Sequence, residues 1–399
     1  MLRSIILTAS LALATNAQAA NYVVSTFADS GPGSLREAVG FANATPGVAD
    51  TITFAVPGLI TLTSGQLTVT DTLTITGAGA NQMTINGNLN GRIFEVQGNT
   101  TNLTLVGMTL TGGLVNNHGG AIWNSTGGNL TLSFMRITQN QAGDTGGAIY
   151  DGFQPDVGGS SVNFLTISNS EFSINRAGKA AAVFHSGYEL RIDNTTFYNN
   201  IANDSVGAIH EQGGFATIRN STFSDNNAVT AVGGILSENS TTTLESTIVA
   251  NNTDPTGIND INRIGSGVVN ATNSLFEEDI SASVPPVLQG GTDVANLIGV
   301  DPQLVAFGAN GGPTNSMRPG PASPAIGTGS NSQAYAFDQR GKGFPRDAGG
   351  AVDIGAIQAY IAPPPRIAQP VPAVGGWQLG LLAMLLALGA AFARRRSSR

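Results

Sequence analysis

The sequence lacks cysteine altogether and carries little charge. None of its 399 residues is a cysteine, and charged residues make up 11% of the chain. Disulfide bonds are therefore excluded, and the burial of side chains alone must hold the fold together. Glycine, by contrast, occurs 52 times. A glycine-rich chain of low charge indicates many short strands joined by tight turns.

Basic residues are also few, and several of them lie at the two ends. Setting aside Arg3 and the four arginines among residues 394–399 leaves 13 of the 18 basic residues against 26 acidic ones. The body between the ends therefore has a net charge near −13. Such a body repels phosphate backbones and anionic lipid surfaces, which argues against nucleic acid as a partner.

The first residues have the pattern of an export signal. Arg3 precedes an apolar run at Ile5–Ala14, and Ala17-Gln18-Ala19 fits the small-x-small rule for cleavage. The alternative, a short anchoring helix, would need a longer apolar run to span a bilayer. We therefore predict a Sec signal peptide at residues 1–19 and export of the remainder.

The last residues have the pattern of a membrane-spanning helix. An uncharged apolar run at Val374–Ala393 is followed by the arginines of residues 394–399, and Trp377 lies where an interfacial aromatic would. The positive-inside rule keeps this tail cytoplasmic and places the body outside. A buried C-terminal helix is the alternative, although the run offers no polar face. We predict a Pro-rich linker at 361–373 and a membrane segment at 374–399.

This tail resembles the IPTL-CTERM type of sorting signal, a relative of PEP-CTERM. Such signals combine a short proline-containing motif, a tryptophan, an apolar helix and a terminal arginine cluster. Val371-Pro372-Ala373-Val374 stands where the family usually has Ile-Pro-Thr-Leu. The resemblance implies an exosortase-type membrane peptidase as a processing partner. It also implies that the helix is a transient anchor in a Gram-negative envelope.

One phrase recurs along the middle of the chain. It occurs at Asn169–Ala177, Asn194–Ala202 and Asn220–Ala228, at steps of 25 and 26 residues. Each period contains three short runs typical of strands, and the 3.6-residue stripe of a helical repeat is missing. We predict an all-β fold over residues 51–295. It is a right-handed parallel β-helix that resembles the pectin-lyase-like solenoids, with one coil per period.

Stacked coils would align equivalent residues in ladders. Phe172, Phe197 and Phe223 should lie one above another in the core, since alternate residues of each strand point inward. The asparagines that end each phrase should bond to one another through their side-chain amides. This predicted ladder comprises Asn140, Asn175, Asn200, Asn226 and Asn251. The alternative is that each asparagine is a surface residue favoured only by its turn.

The N-terminal end of the stack has a recognisable cap at residues 20–50. Ser34 and Glu37 have the spacing of a capping box. The helix that follows would present one apolar face. That face consists of Leu35, Ala38, Val39 and Ala42. We expect this short helix to cover the core of the first coil, because open solenoid ends invite aggregation.

Residues 296–360 form a distinct closing region. Four motifs follow one another, at Asn310–Thr314, Ser323–Ile326, Asp338–Gly341 and Asp353–Ala356. In this order they resemble the choice-of-anchor Q region. We interpret the segment as the last coils with a loop-rich closure. Asp338, Arg340 and Asp353 are expected to be turn and cap partners, not a site.

A second recurring phrase interleaves with the asparagine phrase. It lies at Gly119–Trp123, Gly146–Tyr150, Ala180–Phe184, Val206–His210 and Val232–Leu236. Together the two phrases resemble the repeats of Pmp-type outer-membrane adhesins. Those proteins end in a membrane β-barrel, whereas this chain ends in an apolar helix, so their secretion route is not implied.

One column of the repeat contains the candidate chemistry. The residue after each GGAI-like phrase is Asn124, Asp151, His185, Glu211 or Ser237. A histidine between two acids on neighbouring coils could bind a metal or move protons, which makes Asp151, His185 and Glu211 candidate catalytic residues. The alternative is a charge-compensated ladder without activity. We predict no cofactor.

The preceding column is aromatic: Trp123, Tyr150 and Phe184, followed by His210. Counting in steps of two from Ile149 places Tyr150 outside, where the rings could stack on sugars. The neighbouring glycines could hide a bulge that turns the column into the core.

These features favour an exported, envelope-anchored and non-enzymatic surface protein with a role in adhesion, matrix or surface interactions. Its expected partner is an extracellular polysaccharide or another cell-surface ligand. The alternatives are a carbohydrate-active enzyme, resembling polysaccharide lyases or hydrolases, and a carbohydrate-binding module. Catalytic groups are sparse among the repeats, and this is why the enzyme is the second choice.

Overall fold

Short strands form nearly all the regular structure of this chain. The computed structural model describes residues 18–359 except for Asn99, 153–162, 282–285, Gln289 and 348–349. The predicted linker and C-terminal segment lie outside the described residues, as does the signal peptide apart from its last two residues. No helix in the described part is long and apolar enough to cross a membrane.

The single helix of the described residues is the predicted cap. Helix α1 (Leu35–Asn43) begins after Ser34, whose hydroxyl accepts a hydrogen bond from the Glu37 N–H at 3.1 Å. The Glu37 carboxylate accepts from the Gly33 N–H at 2.6 Å, one residue before the position that the capping box predicted. The four predicted apolar residues are buried, and the helix packs on the first strands.

The strands form four sheets that run along the length of the stack. The longest is an eleven-stranded sheet. It comprises β1 (Asn21–Val24), β2 (Asp50–Phe54), β5 (Leu73–Thr76), β8 (Leu103–Val106), β12 (Leu130–Ser133), β16 (Phe164–Ser168), β20 (Glu189–Asp193), β24 (Phe215–Arg219), β28 (Thr241–Glu245), β33 (Val268–Thr272) and β35 (Asp293–Val294).

The next sheet along the chain has ten strands. It comprises β3 (Gly58–Thr61), β6 (Met83–Asn86), β9 (Thr109–Thr111), β13 (Arg136–Thr138), β17 (Glu171–Ser173), β21 (Thr196–Tyr198), β25 (Thr222–Ser224), β29 (Ile248–Ala250), β34 (Leu275–Phe276) and β36 (Leu297–Ile298).

A seven-stranded sheet of two-residue strands and an eight-stranded sheet complete each coil. The seven-stranded sheet comprises β10 (Leu114–Val115), β14 (Gln141–Ala142), β18 (Arg176–Ala177), β22 (Ile201–Ala202), β26 (Asn227–Ala228), β30 (Thr253–Asp254) and β31 (Gly257–Ile258). The eight-stranded sheet comprises β4 (Leu67–Val69), β7 (Phe94–Val96), β11 (Ile122–Asn124), β15 (Ile149–Gly152), β19 (Val183–Ser186), β23 (Ile209–Gln212), β27 (Ile235–Glu238) and β32 (Ile261–Ile264).

Strand pairing defines an all-β parallel solenoid. Every strand pair within these sheets is parallel except β30 with β31. From β8 to β30 the chain visits the eleven-, ten-, seven- and eight-stranded sheets in turn. The periodicity predicted three strands per coil, and the structure adds the two-residue strand as a fourth. Two residues are too short to leave a period-two pattern in the sequence.

The solenoid extends slightly beyond its predicted limits at both ends. Strand β1 lies within the predicted cap region but pairs with β2 as part of the eleven-stranded sheet. Strands β35 and β36 pair with β33 and β34, so the coils continue to Ile298 instead of ending at residue 295.

Stacked phenylalanines fill the core, as the repeat predicted. The rings of Phe172, Phe197 and Phe223 are fully buried. Their centroids are 4.8 and 4.5 Å apart, with interplanar angles of 12° and 4°. The centroid spacing is close to the ~4.8 Å between neighbouring strands, so each ring lies on the equivalent ring of the next coil.

A ladder of buried asparagine amides follows the phenylalanines. The Nδ2 of each member donates to the Oδ1 of the next, and the backbone N–H of the same residue donates to the same oxygen. From Asn140 to Asn175, Asn200, Asn226 and Asn252, the successive Nδ2–Oδ1 distances are 3.2, 2.9, 2.8 and 2.8 Å. These amides satisfy buried backbone groups as well as one another.

The prediction that Asn251 is the fifth member of the ladder is wrong. Val249, not Ile248, is paired with Phe223, so the ladder position falls on Asn252. Asn251 instead has a φ of 59°, like Asn199 and Asp225 in the preceding coils. The left-handed residue is therefore the one before each ladder asparagine. The amide of Asn252 donates to the Asp260 carboxylate at 2.9 Å, which ends the ladder.

Replacing Asn200 with alanine should destabilise the solenoid strongly. The change removes the acceptor of two Asn175 donors and the donor to the Phe172 carbonyl. We expect a loss of about 3 kcal/mol in the free energy of unfolding, because several buried polar groups lose their partners. Denaturant unfolding of the full chain measures it. Asn203→Ala, at an exposed position, is the control and should change stability by less than about 0.5 kcal/mol. Equal effects of the two changes would contradict the ladder's role.

Residues 299–359, here called the C-terminal strap, run back along the side of the solenoid. The backbone N–H of Gly355 donates to the Ser246 carbonyl at 2.8 Å, and that of Ala356 to the Thr222 hydroxyl at 3.0 Å. Further along, the Asn169 amide donates to the Asp338 carbonyl at 2.9 Å. This corrects in part the expectation that residues 296–360 would form the last coils: β36 lies in that range, but the described residues of the strap contain no strand.

Buried polar side chains hold the strap in place. Asp338 and Arg340 form an ion pair at 2.6 Å within a turn, and Asp353 accepts from the Gly327 N–H, so these residues take structural roles. Arg346 is fully buried and donates to the Asn194 amide oxygen at 2.5 Å. It also donates to the Gly355 carbonyl, and burial lowers its pKa to about 10. The sequence did not single out Arg346.

Candidate functional site

The structure places the predicted acid–histidine column in register. Asn124 is paired with Asp151, Asp151 with His185, and His185 with Glu211. Each residue follows an outward-facing neighbour on its strand, so the pleat turns these side chains into the interior. The column therefore lies inside the solenoid, near the carboxyl ends of strands in the eight-stranded sheet.

Contacts within the column are close. His185 Nδ1 is 2.7 Å from the Glu211 carboxylate, and His185 Nε2 is 3.5 Å from the Asp151 carboxylate. Asp151 also accepts from the amides of Asn124 at 2.6 Å and Asn163 at 3.2 Å. Asp151, His185 and Glu211 are all 0% exposed. A substrate would reach these groups only if the coils opened.

Burial and charge act against each other in this column. Burial raises the pKa of Asp151 and of Glu211, and the His185 charge offsets part of that rise. Burial on its own lowers the pKa of His185, but the Glu211 and Asp151 carboxylates outweigh it, so the pKa of His185 is raised. The two acids therefore favour the charged form of His185. No group of three His, Asp or Glu side chains in the described part of the chain has the geometry of a metal site.

Replacing His185 with glutamine should cost about 3–5 kcal/mol of stability at pH 7, since it leaves two buried acids without a cation. Because the pKa of both acids is raised, the folded protein keeps protons on them at pH values where the unfolded chain has released them. The two acids therefore contribute most to the free energy of unfolding below their ordinary pKa values of 3.8 and 4.5. This contribution is lost as pH rises. The raised pKa of His185 acts the other way, because its contribution is complete only below 6.5, but two acids that become neutral outweigh one imidazole. The loss caused by His185→Gln should thus shrink at pH 5. Denaturant unfolding at the two pH values measures it.

His210→Gln is the matched control, because His210 is only partly buried and bonds to Glu238 at 2.8 Å. We expect it to cost about 1 kcal/mol or less. If the stability of the His185 variant equals that of the unmodified protein at pH 7, the column is not an interacting ion network.

The predicted aromatic column faces outward. Trp123, Tyr150 and Phe184 are paired in register, and His210 and Leu236 continue the column. Four of them, Tyr150, Phe184, His210 and Leu236, form the floor of a groove with a volume of about 480 Å³, which we call the outer groove; Trp123 does not line it. This volume lies in the range of about 300–1,000 Å³ that is usual for ligand sites.

The aromatic rings present their edges to the outer groove. Tyr150 and Phe184 stack on each other with centroids 4.9 Å apart and an interplanar angle of 17°. His118 lies 4.5 Å from the other face of Tyr150, and the Arg92 guanidinium covers Trp123 at 4.4 Å. Both Tyr150 and Phe184 are only 9% exposed. The predicted strip therefore has little free ring face on which a sugar could stack.

Mostly polar side chains form the two walls of the outer groove. One wall comes from the turns before the eight-stranded sheet and comprises His118, Thr145, Lys179, Asp204, Ser205 and Ala231. The other lies two residues beyond the floor and comprises Gln212, Glu238 and Ile264. Burial lowers the pKa of His118 and of His210, so both are neutral at pH 7. The part of the groove lining that the structure describes thus has two carboxylates and one ammonium.

Sequence reasoning did not select Asp204, Gln212 or Glu238 as site residues. Gln212 and Glu238 follow the floor residues by two positions, so the period-two count could have found them. Asp204 lies in a turn, and only the three-dimensional structure brings it to the groove.

Comparison with known proteins gives a likeness of fold. No protein-family model matches the chain, and no curated protein matches it. Among solved structures, the chain is similar to Jun a 1, the major allergen from cedar pollen. The two share 17% identity over 64% of this chain and 77% of the allergen, with a TM-score of 0.38. At this TM-score the likeness carries no functional argument, and the description of the fold rests on the strand pairing.

Proposed function

We propose that this chain is an exported, envelope-anchored surface protein that acts by binding, in adhesion, matrix or surface-layer contacts. The outer groove is its binding site, and its ligand is an extracellular polysaccharide or another cell-surface ligand. The observation that carries the proposal is the distribution of side chains. The titratable column is sealed inside the coils, whereas the polar and aromatic residues of the groove face outward.

Sequence features support the cellular address. The N-terminal pattern supports export, and the IPTL-CTERM-like tail supports a transient membrane anchor. The Pmp-like repeats and the choice-of-anchor Q-like region add support from surface proteins. A right-handed, pectin-lyase-like winding belongs to the same proposal, because crossovers between parallel strands are right-handed in nearly all proteins.

The second candidate function is a carbohydrate-active enzyme. The observation that favours it is the contact of His185 with two carboxylates, at 2.7 and 3.5 Å. Acid–histidine contacts of this kind can transfer protons in catalysis. The complete burial of all three groups favours the binding protein instead.

Filling the outer groove should abolish attachment. We expect cells that produce the full chain to attach to their own isolated matrix polymer, and cells with Ser205→Trp to lose most of that attachment, because Ser205 lines the groove. Thr217→Trp, on the outer face of the eleven-stranded sheet, is the control and should attach normally. Cell counts on the coated surface measure the effect.

A turnover assay on the same polymer separates the two candidates. The binding proposal expects no release of reducing ends. Release that disappears in the His185→Gln protein would establish the enzyme instead. Attachment that persists in the Ser205→Trp cells would reject the groove as the binding site.

Processing of the tail gives a further prediction. If an exosortase-type peptidase cleaves the chain, mass spectrometry of the protein from native membranes should find a C-terminus before the arginines of residues 394–399. A chain that still ends at Arg399 would contradict processing, although it would leave the anchor in place.

A further inference from the structure

The outer groove follows the axis of the solenoid. Its floor residues Tyr150, Phe184, His210 and Leu236 come from four successive coils, and its lining continues to Ile264 on the next. These five strands span about 20 Å at ~4.8 Å per strand. Equivalent positions therefore recur along the groove at one strand spacing, which is close to the repeat of a linear pyranose chain.

We propose that the outer groove binds one uncharged polysaccharide chain along this axis, through its hydroxyl groups. This inference rests on the proposed function and specifies its ligand. Among the described residues that line the groove, Lys179 is the only ammonium, whereas Asp204 and Glu238 are carboxylates. An anionic chain would meet net repulsion there and from the acidic body.

A cationic chain fits less well than an uncharged one. The carboxylate of Glu238 already accepts from His210 at 2.8 Å and from Gln212 at 3.1 Å, and Asp204 accepts from the Thr230 hydroxyl at 2.9 Å. Lys179 would repel an amino sugar from the same groove. Hydroxyl groups, which both donate and accept, suit this mixture of partly engaged polar groups.

His210 supplies an unfilled acceptor in the floor. Its pKa is lowered, so the ring is neutral, and Nε2 must carry the proton because it faces the Glu238 carboxylate. Nδ1 is then a lone-pair acceptor, and it is buried without a hydrogen-bond partner among the described residues. A sugar hydroxyl that displaces a neighbouring floor side chain can donate to this nitrogen, which an apolar ligand cannot do.

A peptide is a poor alternative for this groove. Peptides that join a sheet need a free strand edge for their backbone hydrogen bonds. Strands β15, β19, β23 and β27, which form the floor, are each paired on both sides. The groove therefore offers side chains but no backbone edge.

Binding of three soluble polymers to the full chain tests the proposal. The probes are hydroxyethyl cellulose as the uncharged chain, polygalacturonate as the anionic chain and chitosan as the cationic chain. We expect hydroxyethyl cellulose to bind most tightly, and His210→Phe to weaken its binding about tenfold through loss of the acceptor. Phe215→Ala, on the exposed face of the eleven-stranded sheet, should leave binding unchanged. Circular dichroism confirms that each variant is folded.

The outcomes separate this inference from the proposed function. Tighter binding of either charged polymer, or hydroxyethyl cellulose binding that His210→Phe leaves intact, would overturn the uncharged-chain assignment. Failure of all three polymers to bind, with matrix attachment still lost in Ser205→Trp cells, would also overturn it while the proposed function stands. If Ser205→Trp leaves matrix attachment unchanged, both the proposed function of the groove and the uncharged-chain assignment are rejected.

Discussion

The in-register stacking of one coil on the next is the constraint on which the whole structure depends. Parallel pairing puts equivalent residues within one strand spacing, so any residue type that recurs must tolerate a copy of itself above and below. Phenylalanine does so by stacking its rings at 4.5–4.8 Å. Asparagine does so because its amide has a donor on one side and an acceptor on the other. An acid cannot, and this is why Asp151 and Glu211 are separated by His185.

The same constraint separates the chemistry of neighbouring columns. On β15, β19 and β23 the pleat sends one column outward to the groove and the next inward to the core. Ionisable groups that look adjacent in the sequence, such as His210 and Glu211, therefore lie on opposite sides of the sheet. His210 lines the groove and bonds to Glu238, whereas Glu211 bonds to His185 inside the stack.

Sequence reasoning was strongest where residues repeat and weakest where they do not. The column of Asp151, His185 and Glu211 could be aligned because the GGAI-like phrase before it recurs. Register failed at Asn251, because the adjacent pairs Ile248-Val249 and Asn251-Asn252 fit the repeat in two ways. Counting in steps of two left both directions of the aromatic column open because of the neighbouring glycines. It also could not give the planes of the rings, since stacking on neighbouring coils sets them. The course of the strap, with buried Arg346, has no periodic signal at all.

The asparagine ladder also explains where the regular repeat stops. Its amides all donate in one direction, so the last amide needs an acceptor that requires no further donor from a following coil. Asp260 meets this need, and burial raises its pKa to about 7 while the hydrogen bonds from Asn252 partly oppose that rise. A carboxylate at this end also faces the positive end of the aligned amide dipoles. Just before Asp260, the antiparallel pairing of β30 with β31 replaces the parallel register. The last amide of the ladder is therefore paired with a carboxylate at the point where the seven-stranded sheet ends. The remaining coils continue without the ladder.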